Sequence, residues 1–142
     1  MAMRRRVIAM TGAAWIAGGV LLAGCASGLK KPVHEVTATT GTDQVQRVTV
    51  TAHSFWFDPN RVVVKRGLPV ELTLKNGGLF VPHGFDCMGK DAGIELHIGA
   101  GMFRGSDKVR FTPTLAGEYP FHCGVDGHAK KGMTGTLVVV EP

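Results

Sequence analysis

From Val45 onward apolar and polar residues alternate with a period of two, between turn signals that recur every few residues. Successive side chains of a strand point to opposite faces, whereas a helix repeats about every 3.6 residues, so this alternation restricts the chain to β-structure. Val48-Thr49-Val50 and Phe55-Trp56-Phe57 suggest a first strand that bends near Ala52-His53-Ser54, and Asp58-Pro59-Asn60 is turn chemistry. Arg61–Lys65 is a β-branched run, and Val70, Leu72 and Leu74 alternate with Glu71, Thr73 and Lys75 before Asn76-Gly77-Gly78 breaks the chain. Further strands are expected at His83–Cys87, Ile94–Ile98, Lys108–Phe111, Gly117–Cys123 and Thr134–Val140. No long stretch carries a capped helical stripe. About seven to eight short strands at this spacing predict an all-β chain folded as an antiparallel β-sandwich, in one domain over 45–142.

The stretch Gly117–Val140 carries the chemistry. It reads as strand, loop, strand. Tyr119, Phe121 and Cys123 share one face, so two aromatics enter the core and the thiol follows them. His128 comes next on the loop, then Met133, before the β-branched closing strand. A thiolate, an imidazole and a thioether on one tight loop are a soft donor set suited to copper. Zinc would prefer more thiolates or a Cys2His2 arrangement, and iron–sulfur clusters need more cysteines. A second imidazole completes a His2Cys plane with a weak axial Met. The candidate is His83, in Val81-Pro82-His83-Gly84-Phe85, about 40 residues upstream at the start of a strand.

A distant His followed by C-x4-H-x4-M resembles the cupredoxin, or blue copper, family, with loop spacing most similar to auracyanin and rusticyanin. The resemblance covers roughly Val45 to Pro142 and implies a Greek-key, cupredoxin-like sandwich. It also implies one Cu(I)/Cu(II) ion on His83, Cys123, His128 and Met133, and the transfer of single electrons rather than catalysis. A dinuclear site would need a second cysteine where Asp126 and Gly127 stand. The family further implies that His128 reaches the surface as the electron port. Leu79, Phe80, Val81, Pro82, Ala129, Gly132 and Met133 would frame it. Lys130 and Lys131, inside the ligand loop, read as two solvated lysines; the alternative is a basic rim that steers an acidic redox partner. One departure is Gly84, where many relatives carry an Asn or Ser that ties the two ligand loops together.

Residues 1–24 read as a signal peptide: Arg4–Arg6 precede an uncharged, mostly apolar run from Val7 to Ala23. Leu22-Ala23-Gly24-Cys25 resembles a lipobox, which implies lipidation of Cys25 and anchoring without a spanning helix; the alternative is a plain secretory signal or a retained anchor. Residues 25–44, polar and Thr-rich, read as a flexible tether. The location expected is the periplasmic side of the envelope, the outer membrane if two membranes are present, as a monomer. With Cys25 lipidated and Cys123 on metal, Cys87 has no cysteine to bridge to. The formal charge of +5 owes three positives to Arg4–Arg6, and without an Arg-rich stripe it gives no reason to expect nucleic acid.

Other residues carry weaker signals. His122 should point away from Cys123 and sit in solvent; the alternative, by resemblance to plastocyanin-like proteins, is a second, remote electron-transfer surface. His97 and Met102 repeat the His128–Met133 spacing without a cysteine ahead, which reads as coincidence; the alternative is a second copper site using His97, Met102 or Met88. Cys87, in phase with Phe85, reads as a small buried hydrophobe. His34 and His53 carry no supporting pattern. A cysteine hydrolase would draw its His from a distant segment. The runner-up function is copper tolerance or delivery, although no Met- and His-rich tail is present.

Overall fold

β-Branched and aromatic residues at alternate positions build eleven strands in the computed structural model, which describes residues 31–142. In chain order these are β1 (Glu35–Thr37), β2 (Thr39–Thr40), β3 (Gln46–His53), β4 (Trp56–Asp58), β5 (Arg61–Lys65) and β6 (Val70–Asn76). They continue as β7 (His83–Gly89), β8 (Ile94–Ala100), β9 (Ser106–Phe111), β10 (Gly117–His122) and β11 (Thr134–Val140). Only two short 3-10 turns, Lys90–Ala92 and Ala129–Lys131, interrupt them. Among the described residues no helix is long and apolar enough to cross a membrane.

One sheet runs β1-β5-β11-β10-β7-β8, the other β2-β3-β6-β9 with β4 on β3. The sandwich expected from the alternation is present, but its sheets are mixed. β1 and β11 each pair parallel with β5, and β3 pairs parallel with β6. Alternation reports which face of a strand is buried and not its direction, so the parallel pairs left no mark in the pattern. The strand count exceeds the expected seven to eight for two reasons. The first strand splits at Ser54-Phe55 into β3 and β4, and β1 and β2 arise before Val45.

Those two strands also change the reading of residues 25–44 as a tether. Residues 25–30, with Cys25 and the signal segment 1–24, lie outside the described residues. From His34 onward the segment is part of the sheets: Glu35, Val36 and Thr37 lie in register with Arg61, Val62 and Val63, and Thr39-Thr40 with Arg47 and Gln46. Ala38 is buried, and its N–H donates to the Val63 carbonyl at 2.9 Å. Thr is a good strand residue, so a polar, Thr-rich stretch pairs at a sheet edge without needing an apolar stripe.

The two sheets bury Val48, Val50, Leu72 and Leu74 against Val62, Phe85, Leu137 and Val139. At one end of this core Phe85 and Phe121 stack at 4.4 Å between centroids, and Phe57 meets both edge-on at 5.8 and 5.3 Å. Each such ring contributes on the order of 2–3 kcal/mol through burial. Phe85 lies two residues after His83 and Phe121 two before Cys123, so the aromatic cluster fixes the height at which both side chains leave the core.

Candidate metal centre

β10 and β11 are antiparallel neighbours, with His122 opposite Thr134. The chain between them is closed by the Cys123 N–H, which donates to the Met133 carbonyl at 3.1 Å. His128 stands at the start of the Ala129–Lys131 turn, and its carbonyl accepts from the N–H groups of Lys131 and Met133 at 3.0 and 3.2 Å. Gly132, at φ +89°, ends that turn in the left-handed region, which a glycine enters without strain. Met133 is thereby returned to the interior, fully buried.

β7 runs antiparallel to β10, with Cys87 opposite Phe121 and Asp86 opposite His122. His83, at the start of β7, therefore arrives beside Cys123. Donor atoms of His83, Cys123 and His128 all lie within 4.8 Å of one another, and all three residues are buried. Cys123 Sγ is 3.4 Å from His128 Nδ1, and the Gly84 N–H donates to the same sulfur at 3.3 Å. Of the four expected ligands, these three converge, and Met133 is buried on the same closed loop.

The donors fit a soft metal. His83 Nδ1 is buried and meets no hydrogen-bond partner, a deficit worth ~1–3 kcal/mol that a metal–nitrogen bond removes. Burial first, and then the neighbouring imidazoles of His128 and His53, hold the His83 pKa below its ordinary value. That keeps the ring in the neutral form that binds metals. Cys87 stands apart. Burial pushes its thiol up to about 12, and its Sγ donates to the Tyr119 carbonyl at 3.8 Å. It remains a small core residue. Among the described residues neither Cys87 nor Cys123 is in a disulfide.

Gly84 also acquires a reason. A Cβ on it would lie 3.0 Å from the Gly124 nitrogen and 3.3 Å from its Cα, tighter than ordinary contacts. The ligand loops are held by backbone packing and by the Gly84 N–H, in place of the side-chain tie that the resemblance leads one to expect. Close Gly–Gly approach leaves no helical or strand period, so only the family comparison marked this position.

The expected port is differently arranged. His128 is only 8% exposed, and the ring of Phe55 packs edge-on against it at 5.0 Å. Phe55 sits at φ +67°, and Lys131 Nζ lies 4.0 Å over its ring. Met133 is buried and does not frame a surface, whereas Leu79, Phe80 and Pro82 are exposed. Phe103, 70% exposed and edge-on to Phe80 at 6.2 Å, joins the apolar surface from the β8–β9 loop. Phe103 lies in a turn, where no periodicity points, and Phe55, expected within the first strand, falls in the turn between β3 and β4 and is thereby free to pack on His128.

Asn76 holds that surface in place from below: its Nδ2 donates to the carbonyls of Val81 and Gly101 at 2.7 and 2.9 Å, and its Oδ1 accepts from Gly78.

Residues 15–139 match the family model described as a cupredoxin-like domain. The chain belongs to the cupredoxin-like family. Solved structures resemble it at low sequence identity. The metal-binding domain of the Cu(I)-exporting P-type ATPase CopA of Streptococcus pneumoniae D39 aligns with a TM-score of 0.59 at 22% identity, covering 78% of this chain and 99% of that one. Auracyanin from Roseiflexus castenholzii aligns at 0.57 and 19% identity over 72% and 98% of the two chains. Reduced rusticyanin aligns at 0.55 and 25% identity over 75% and 84%. No curated protein matches the sequence. Auracyanin and rusticyanin, the two named by loop spacing, thus both have a fold similar to this one.

Proposed function

We propose that this cupredoxin carries single electrons between redox partners at the cell envelope, on one copper ion held by His83, Cys123, His128 and Met133. The observation that carries the reading is the convergence of the two imidazoles on the Cys123 thiol, with His83 Nδ1 left without a hydrogen bond. Copper supplies a one-electron Cu(I)/Cu(II) couple when bound to such a set.

The chain's own residues do the rest. Cys123 and Met133 offer soft sulfur, and His83 and His128 offer nitrogen that suits either oxidation state. Backbone contacts within the loop and across to Gly84 fix the donors before any metal arrives, which limits rearrangement. Burial of all four residues keeps bulk water away from the donors, which favours a carrier over a catalyst. Phe55, packed on His128 with Lys131 over its ring, makes the covering of the loop imidazole apolar and basic at once, and Pro82, next to His83 in the chain, is exposed. A partner with an acidic rim complements that surface. Lipidation of Cys25 would hold the carrier at the periplasmic side of a membrane.

Loading the purified protein with Cu(II) tests this. Strong thiolate-to-copper absorption with reversible one-electron reduction is expected, abolished by Cys123→Ser and retained in Cys87→Ser. A colourless protein that binds only Cu(I), or several copper ions, would instead identify a copper-handling protein.

A further inference from the structure

On the outer face of the sheet that carries the metal centre, three side chains line up across adjacent strands. Asp86 of β7 is in register with His97 of β8 on one side and His122 of β10 on the other. His97 Nδ1 lies 2.6 Å from Asp86 Oδ1, yet the pair is not aligned as a hydrogen bond, and Oδ1 is buried without a donor. His122 Nε2 lies 3.9 Å from Asp86 Oδ2, too far for a hydrogen bond. Two donors on a tetrahedral ion with bonds of ~2.1 Å stand ~3.4 Å apart, so one ion takes all three groups once His122 closes in and the His97 ring draws back from the carboxylate.

The carboxylate is largely buried while the imidazoles are not. Asp86 is 17% exposed and packs under Gly124, where a Cβ would come within 2.4 Å of Oδ2. The His97 and His122 side chains are 85% and 52% exposed and can turn toward it. A cleft of about 490 Å³ reaches Asp86 and His97 from solvent, and Asp107 adds a second carboxylate to its wall. A largely buried carboxylate with one oxygen lacking a hydrogen bond, flanked by two exposed imidazoles, is a donor set for a borderline divalent ion.

We infer that His97, Asp86 and His122 form a second cation site, of the class that takes Zn(II), and that its occupancy raises the reduction potential of the neighbouring metal centre. The two sites are joined by the backbone, since His122 and Cys123 are consecutive and Gly124 covers Asp86. A positive charge behind the Cys123 sulfur favours the reduced state by Coulomb attraction. The binding step is independent of the electron-carrier reading; the coupling rests on it.

Zn(II) is titrated into the reduced, copper-loaded protein while the imidazole NMR signals of His97 and His122 and the heat of binding are followed. One equivalent is expected to shift both signals saturably, and His122→Gln or the near-isosteric Asp86→Asn to weaken binding at least tenfold. The same titration of the Cys123→Ser protein is expected to move these two signals as before, which separates this site from the copper centre. A Zn(II)-independent pair of signals, or equal affinity in both variants, overturns the site and leaves His97–Asp86 a plain surface ion pair. A midpoint potential that does not rise with Zn(II) bound overturns the coupling.

Discussion

Gly84 does two things at once: its N–H donates to the Cys123 sulfur, and its bare Cα admits Gly124. A larger residue must push the start of β7 away from the ligand loop and lengthen that hydrogen bond. Gly84→Asn, although it restores the residue common in relatives, should lower stability by about 1–3 kcal/mol, the usual cost of overpacking. It should also shift the thiolate-to-copper band of the loaded protein. A urea midpoint and a visible spectrum indistinguishable from those of the parent protein would show that the Gly–Gly contact is not needed.

Among the strands, β1 is a short element with a large effect, because it covers the open edge of β5. Besides its ladder, it brings His34, whose carbonyl accepts from the Asn60 and Arg61 N–H groups, and Glu35, whose carboxylate pairs with Arg61 at 2.7 Å. A chain that starts at Val45 loses these bonds and exposes β5 as an edge, which invites association. Compared with a chain that starts at Lys31, it should be less stable by ~2 kcal/mol or more, since each lost backbone hydrogen bond contributes on the order of 1 kcal/mol. Equilibrium unfolding of the two chains in urea measures the difference, and equal midpoints would mean that residues 31–44 act only as a tether.

At the scale of the whole molecule, Lys131 of the ligand loop lies over the Phe55 ring that packs on His128, with Lys130 next to it in the chain, and the field the two add there is set by their position and not by net charge. Both are exposed, so their pull on a partner reaches about 10 Å at 0.1 M salt and is screened beyond that. Lys130→Glu with Lys131→Glu should slow electron transfer to an acidic partner and reverse the salt dependence of the rate. Stopped-flow rates across a salt series read both effects, and unchanged rates and slopes would remove the lysines from partner steering.

Much of this could be read along the chain before folding. Strands β5 and β11 fall where the β-branched runs place them, and Cys123, His128 and Met133 are joined by one short loop whose donors specify a soft metal. Local chemistry and period-two patterning are properties of neighbouring residues, so a linear reading captures them. Contacts between distant segments are not. The meeting of His83 with Cys123 follows from the β7–β10 pairing, the shielding of His128 from a phenylalanine in a turn, and the His97–Asp86–His122 row from the register of three strands. Such registers are set by packing of the whole sandwich, where one residue of slip would turn every side chain to the other face.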